Sequence, residues 1–229
     1  MPILIAVGIA LLIAAIFGPQ WWIRRVLARH GAERPDLPGS GGELARHLLD
    51  EAGLQVVTVE PTDLGDHYDP VARAVRLLPQ HHDGRSIAAV AVAAHEVSHA
   101  VQHARGERSF QLRFDLVKNL TWIDRLAGIV LLLAPLVFMV VKAPILLVAQ
   151  IVAGLLLLAI RIVVHLVTLP VEFDASFAKA LPVLKQGNYL SDADLPAATS
   201  VLRAAAFTYV AAALATLLDI ARWFRILRF

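Results

Sequence analysis

The sequence contains no cysteine. Disulfide bridges, a thiolate nucleophile and cysteine ligands for a metal are therefore excluded, because each of them needs the cysteine sulfur. Any metal ion must be held by histidine, aspartate or glutamate. The 21 Lys and Arg residues against 19 Asp and Glu residues give a net charge of only +2. The sequence also lacks a basic stripe with interleaved aromatic residues, so it gives no indication of nucleic-acid binding.

Long uncharged apolar runs, by contrast, are abundant. Hydrophobic residues make up 58% of the chain, above the roughly 45 to 50% that is usual in soluble domains. These residues are concentrated in runs instead of being spread at the spacing of a soluble core, which predicts a lipid environment. We expect a mainly α membrane protein with about four transmembrane helices and a small soluble α+β unit.

The apolar runs predict where the chain crosses the membrane. The first run is expected to be a retained helix and not a cleaved signal peptide, because no basic region precedes it and no clear cleavage site follows it. The apolar block at residues 126–169 is too long for one span of about 20 residues, so a two-helix hairpin that turns at Lys142-Ala143-Pro144 is predicted. The expected segments are an N-terminal transmembrane helix (1–23), a linker and soluble α+β unit (24–125), the hairpin (126–169), a polar segment (170–203) and a C-terminal transmembrane or interfacial helix (204–229).

Local signals predict the elements of the soluble unit. Ser40 followed by Glu43 forms a capping box, which opens a short helix that ends at Gly53. Two strands are predicted at residues 54–60 and 71–78, with a polar turn between them. A longer helix, from about Arg85 to Arg105, completes the unit.

That longer helix contains the sequence His95-Glu96-Val97-Ser98-His99. Residues four apart lie on one face of a helix, so the imidazoles of His95 and His99 can bind one ion, for which zinc is the expected choice. Glu96 is placed to act as the general base that takes a proton from the attacking water. Random placement gives about 0.01 expected matches to this motif. The pattern therefore predicts a zinc peptidase.

A third metal ligand has to come from elsewhere in the chain. His103 would lie about 12 Å from His95 along a straight helix, too far for two bonds of about 2 Å to a shared ion. Gln102 and Arg105 stand where a metzincin has glycine and histidine, so that class is excluded.

Glu172 is the preferred third ligand. Pro170 after an apolar run predicts the start of a new helix, which would place Glu172 in its first turn at the membrane surface. The alternative is that Glu172 is only favoured there by the helix dipole. Asp174 points about 200° away around the same helix, so we expect it to support the site or cap the helix.

The sequence resembles the YugP-like family of membrane zinc metallopeptidases, which is similar in layout to the HtpX-type proteases. The resemblance covers nearly the whole chain and rests on residues 66–70, 82–86, 93–100 and 169–176. It implies a gluzincin-like site in a zincin-like unit, with His95, His99 and Glu172 as zinc ligands and Glu96 as the base. Ser98 replaces a usual glycine. Ser176 replaces the aspartate of HtpX-type proteins, so the partner of a ligating histidine is not identified.

The expected partners are a peptide or protein substrate, which can be a membrane protein, and the lipid bilayer. His67 and Tyr68 could line the substrate groove or simply close the turn that contains them. A catalytically silent zinc-binding membrane scaffold is the alternative function. An intramembrane protease of the site-2 type is a rival within enzymes, but the polar residues of the motif helix would be costly at bilayer depth.

The distribution of Lys and Arg predicts the orientation. An integral protein of a bacterial cell membrane is expected, with the catalytic unit on the cytoplasmic side. Residues on the expected catalytic side are Arg24, Arg25, Arg29, Lys118, Arg125, Lys179 and Lys185, against Lys142 alone in the hairpin turn. Arg222, Arg225 and Arg228 conflict with this orientation if the last helix is a full span.

Overall fold

The computed structural model describes residues 2–214, which are mostly helical and include one small sheet. Its first helix, α1, spans Pro2–His30 with Pro19 inside it. α1 is longer than the predicted segment 1–23, because its end packs into the soluble unit, where Ile23 and Val26 are buried. The helix therefore joins the expected membrane segment to the folded unit without a break.

Helix α2 spans Gly41–Glu51 and begins with the predicted capping box. The Ser40 hydroxyl accepts a hydrogen bond from the Glu43 backbone N–H at 3.3 Å, and the Glu43 carboxylate accepts one from the Ser40 N–H at 2.7 Å. A Cβ at Gly41 would lie 2.2 Å from the carbonyl oxygen of His81. It would also lie 2.9 Å from the carbonyl oxygen of Ala89, in the helix that carries the motif, so only glycine allows α2 to lie this close to that helix.

The sheet has three strands in the order β1-β3-β2, where β1 is Thr58–Pro61, β2 is His67–Asp69 and β3 is Ala74–Leu77. β1 is parallel to β3, and β2 is antiparallel to β3. The predicted strands were too long. The prediction of a turn throughout residues 63–70 was also wrong, because β2 lies inside that segment. The three residues of β2 are too few to show an alternating strand pattern in the sequence. They form a strand because they pair with β3.

A short helix, α3 (Pro79–His82), leads into α4, which spans Ile87–Ala104 and carries the motif. Ser86 caps α4 by accepting a hydrogen bond from the Ala89 N–H at 3.0 Å. Gly106, with φ +63°, follows the helix end. Almost every residue of α4 is buried, because the helix packs against α2, β2, β3 and the elements that follow α6. α4 is thus the centre of the soluble core.

Two long helices, α5 (Arg108–Val141) and α6 (Pro144–Phe173), pack against each other as a hairpin. The chain turns at the predicted residues, and Lys142 has φ +50°. The polar segment before residue 126 forms the first turns of α5, so one continuous helix leads from the motif region into the hairpin.

The predicted helix start at Pro170 is wrong, because α6 continues through this residue. A proline inside a helix removes one backbone hydrogen bond and costs roughly 3 kcal/mol. Pro170 itself is exposed, but Thr168, Val171 and Glu172 beside it are buried and hold the helix in place. The chain then enters a π-helical segment, Asp174–Ala180, where the Asp174 N–H is shared between the carbonyls of Pro170 and Val171. Glu172 therefore lies at the end of α6 and not at the start of a new helix.

Two further helices, α7 (Leu181–Gln186) and α8 (Leu195–Ala206), complete the elements, and residues 208–214 are helical again. Among the residues that the structure describes, one helical stretch, Leu195–Leu214, is long and apolar enough to cross a membrane. The arrangement of four spans stays a prediction. The end of the predicted C-terminal helix, residues 215–229, lies outside the described residues.

Candidate metal centre

His95, His99 and Glu172 meet in the core, although the glutamate is more than seventy residues from the histidines in sequence. The Nε2 atoms of His95 and His99 lie 3.1 and 3.4 Å from the Glu172 Oε2. One potential ligand atom from each residue lies within 4.8 Å of the other two. All three side chains are buried, and Glu172 is only 2% exposed. Helices α4 and α6 thus bring the predicted residues together.

Ser176 fixes the orientation of the His95 ring. Its hydroxyl donates to the carbonyl of Leu202 at 3.1 Å and lies 3.0 Å from the His95 Nδ1. Since the hydroxyl proton is used on Leu202, the oxygen accepts the Nδ1–H of His95. The Nε2 of a neutral His95 then has a free lone pair that faces Glu172.

Gln102 does the same for His99. Its amide nitrogen donates to the Val171 carbonyl at 3.0 Å and to the Asp174 carboxylate at 2.7 Å, and its Oε1 lies 2.8 Å from the His99 Nδ1. The two acceptors define which end of the amide is nitrogen, so Oε1 must accept the Nδ1–H of His99. In a neutral His99, the Nε2 then also carries a free lone pair, which is directed at Glu172.

Asp174 is in turn held by Lys179, which contacts both Asp174 and Glu107. Burial alone would raise the pKa of Asp174, but the hydrogen bonds from Lys179 and Gln102 outweigh it and hold that pKa below its ordinary value. The expectation that Asp174 supports the site agrees with these contacts. The contacts connect the end of α4 to the π-helical segment that follows Glu172.

Three acceptor atoms therefore converge on one point: two imidazole Nε2 atoms and a carboxylate oxygen. Acceptors placed this close repel each other unless a proton or a metal cation lies between them. The other carboxylate oxygen, Oε1, is buried and accepts no aligned hydrogen bond from the described residues, although the Arg113 Nη1 lies 3.1 Å from it. Two neutral nitrogens and one carboxylate match the three protein ligands of a catalytic zinc site. The residues present thus fit a zinc ion.

Glu96, next to His95 on α4, lines the same cavity and is buried. Burial in the core raises the pKa of its carboxyl to about 7. A general base is most effective when its pKa is close to the working pH. Glu96 thus lines the cavity beside the candidate ligands, with a carboxyl pKa close to neutral.

The cavity in front of these residues has a volume of about 800 Å³. His67 and Tyr68 of β2 line it, so β2 forms one wall of the site. The Tyr68 hydroxyl lies 2.9 Å from the His103 Nδ1, and the His103 ring stacks on Phe110. His103 is thus outside the group of converging residues, as the spacing along the helix predicted.

Four residues of the site could not be assigned from the sequence. Gln102 lies three residues after its partner His99, a helical spacing that is compatible with contact, whereas Ser176 contacts His95 across 81 residues. Arg113 and Tyr209 also line the cavity, and no sequence pattern relates them to the motif. Ser98 stands where the resemblance leads one to expect glycine. Its hydroxyl donates to the carbonyl of Ala94 in its own helix at 2.7 Å.

Comparison with known proteins gives two matches. The family described as "Putative neutral zinc metallopeptidase" matches residues 3–228. A protein of Bacillus subtilis (strain 168), "Putative membrane protease YugP", is 35% identical over 222 residues, which cover 94% of this chain and 94% of that protein. No solved structure matches the chain.

Proposed function

The chain belongs to the family described as "Putative neutral zinc metallopeptidase", and from this premise we propose that it is a membrane-embedded, zinc-dependent endopeptidase. The observation that carries the proposal is the convergence of the His95 Nε2, the His99 Nε2 and the Glu172 Oε2 in the buried core. We assign these three residues as zinc ligands and Glu96 as the general base. The Nδ1–H groups of His95 and His99 are bound by Ser176 and Gln102, away from the centre, which leaves both Nε2 atoms free to bind a metal.

Zinc, when bound, would polarise the carbonyl of the scissile bond and lower the pKa of a coordinated water toward about 7. Glu96 takes a proton from the attacking water and passes it to the leaving amine. Its raised pKa suits both steps, because the carboxylate must accept a proton and then release it in the same cycle. Ser176 and Gln102 keep the rings of His95 and His99 in a fixed orientation throughout.

An extended peptide can reach the site along β2. This strand pairs with β3 on one side, and within the described residues no strand pairs with its other edge. A peptide that adds to such an edge gains backbone hydrogen bonds whatever its sequence. His67 and Tyr68 would then contact the substrate, and the apolar walls of the cavity would accept its side chains.

The outer surface of the hairpin supports a membrane location. Leu132, Val140 and Ile145 are each more than 70% exposed, and apolar side chains exposed along a helix pair are typical of contact with lipid. At 1.5 Å per residue α6 is about 45 Å long, enough to cross a hydrocarbon core of about 30 Å.

The positions of the ligands also support this layout. An even number of spans between His99 and Glu172 returns the chain to the side that it left, so the two residues can meet. From the even number of spans and the distribution of Lys and Arg, we propose that the chain is an integral protein of the bacterial cell membrane, with its site at the cytoplasmic surface. The rival placement of the motif helix in lipid is disfavoured, since α4 is enclosed by α2, α8 and the sheet.

The proposed function is tested by comparing the membrane proteomes of cells that produce the wild-type chain and the Glu96→Gln form at equal levels. If the chain is an endopeptidase, some proteins or fragments should differ in abundance between the wild-type and the Glu96→Gln cells. A zinc-binding scaffold without catalysis predicts identical proteomes, because the substitution leaves the ligands in place.

A further inference from the structure

Arg113, near the start of α5, points its guanidinium at the candidate metal centre. Its Nη1 lies 3.1 Å from the Glu172 Oε1, and its side chain is 19% exposed. Among the described residues that line the cavity, it is the one Lys or Arg. A positive charge is therefore placed beside the atoms at which a peptide bond would be hydrolysed.

Tyr209 holds this guanidinium from the opposite side. The Arg113 Nη2 donates to the Tyr209 hydroxyl at 2.7 Å, and the Cζ lies 5.2 Å from the centre of the Tyr209 ring. Arg113 and Tyr209 belong to segments almost one hundred residues apart. The cation is thus fixed by contacts from two elements and is not a mobile surface side chain.

The contact between Arg113 and Glu172 is an ion pair without hydrogen-bond alignment. The Oε1 of Glu172 has no hydrogen-bond partner among the described residues, although Nη1 is at 3.1 Å. Arg113 therefore keeps N–H groups in the cavity that Glu172 does not use. Arg113 is half-buried, and the Glu172 Oε1 is one anionic oxygen beside it, so its remaining N–H groups can meet a second negative oxygen in the cavity.

Peptide hydrolysis supplies such an oxygen. When water adds to the scissile carbonyl carbon, the π electron pair moves to the carbonyl oxygen, which becomes negative. That charge is lost again when the C–N bond breaks and the amine takes the proton held by Glu96. Fixed donors that face an oxygen while it carries charge lower the barrier, because they need no rearrangement during the reaction.

We propose that Arg113 is a further catalytic residue, which donates hydrogen bonds to the scissile carbonyl oxygen as its negative charge develops. Tyr209 is the positioning residue that holds the guanidinium in place. Arg113 stays protonated throughout and accepts no proton. The inference rests on the proposed peptidase function and adds to it the group that stabilises the transition state.

The test uses full-length protein in detergent and two probes of the same sequence, with both ends blocked and leucine on each side of the central bond. One probe is a quenched fluorescent peptide, and the other carries a phosphinate in place of the scissile bond, which mimics the tetrahedral anion. The variants are Arg113→Met, Arg113→Lys and Tyr209→Phe. Arg108→Met is the matched control, because Arg108 is an exposed arginine on the same helix.

We expect Arg113→Met to lower kcat by about 10²- to 10³-fold with KM and zinc content unchanged. The phosphinate should bind more weakly by a similar factor. The plain peptide should bind equally to Glu96→Gln and to Glu96→Gln combined with Arg113→Met. Arg113→Lys should lose less than Arg113→Met, Tyr209→Phe should show a smaller loss of kcat, and Arg108→Met should show none.

Three results would overturn the assignment of Arg113 while the wild type remains an active peptidase. The first is zinc content that falls in step with activity in the Arg113 variants, which would mean that Arg113 only supports Glu172. The second is equal affinity of the phosphinate for wild type and Arg113→Met. The third is a change in Arg113→Met that is confined to KM, with kcat equal to that of the wild type. A zinc-loaded wild type that cleaves no peptide would instead overturn the proposed function, and with it this inference.

Discussion

The hydroxyl of Ser176 lies 3.0 Å from the Nδ1 of His95 and four residues after Glu172. One turn of the chain thus presents both a candidate zinc ligand and the group that orients a second one. The hydroxyl is buried and already donates to the carbonyl of Leu202, so it can only accept from the imidazole. Ser176 is therefore the group that holds the His95 ring with its Nε2 toward Glu172.

Ser176→Ala should weaken zinc binding by about 10- to 100-fold, because the His95 ring loses the acceptor that fixes its tautomer. Competition with a chromophoric chelator measures the change. Ser98→Ala is the matched control, since Ser98 is also buried but donates to the Ala94 carbonyl of its own helix. Equal zinc affinity in Ser176→Ala and Ser98→Ala would show that the serine does not orient the ligand.

Glu172→Ala should remove most of the bound zinc, because a site with three protein ligands loses one of them. Asp174→Ala should keep the metal, with at most a modest loss of affinity, since Asp174 acts through Gln102. Zinc per chain after dialysis, measured by plasma mass spectrometry, separates the two. If Asp174→Ala lost the metal and Glu172→Ala kept it, the assignment of the two carboxylates would be reversed.

Glu96→Gln should retain zinc and fold but lose peptidase activity by at least about 100-fold, the low end for a general base. The amide has nearly the shape of the carboxylate but cannot accept the proton of the attacking water. Hydrolysis of labelled casein by purified protein, with the zinc content of both samples checked, gives the ratio. Turnover equal to that of wild type would mean that Glu96 is not the base.

Much of what the sequence predicts correctly is local. The capping box of Ser40 and Glu43 forms because both partners lie within one turn, and the chain turns at Lys142 just before Pro144, which opens the next helix. The motif on α4 could be read directly, since helical spacing alone places His95 beside His99. In each case the residues that determine the structure are close together in the chain.

Contacts between distant segments set the features that the sequence did not reveal. β2 is a strand because it pairs with β3, and its three residues show no strand pattern alone. Proline commonly ends a helix, yet α6 continues through Pro170, because the burial of Val171 and Glu172 outweighs the local preference of the proline. Arg113 meets Tyr209 across almost one hundred residues, a distance over which one sequence carries no pairing information.

Asp69→Ala should destabilise the β2–β3 wall of the cavity by about 1 to 2 kcal/mol at neutral pH. Asp69 accepts hydrogen bonds from the backbone N–H groups of Ala72 and Val71 and pairs with Arg76. The Tm of wild type and variant, both stripped of zinc, measures the loss. Asp63→Ala, at an exposed position in the same segment, should leave the Tm unchanged.

The loss of stability in Asp69→Ala should also depend on pH. The Ala72 and Val71 N–H groups, together with Arg76, hold the pKa of Asp69 below its ordinary value. Its contribution to stability is therefore complete above about pH 4, the ordinary range of an aspartate, and disappears as pH falls through the lowered pKa. A Tm difference that stays constant from pH 7 down to pH 3 would rule out the ionised form as its source.

Whether His95, His99 and Glu172 together hold one zinc ion is tested most directly by zinc K-edge X-ray absorption of the purified chain. We expect about one zinc per chain, in a four-coordinate shell of nitrogen and oxygen at about 2.0 to 2.2 Å that contains two imidazoles. We also expect loss of this signal in both His95→Ala and His99→Ala. Full zinc occupancy in those two variants, or a zinc shell without imidazole in the wild type, would contradict this assignment.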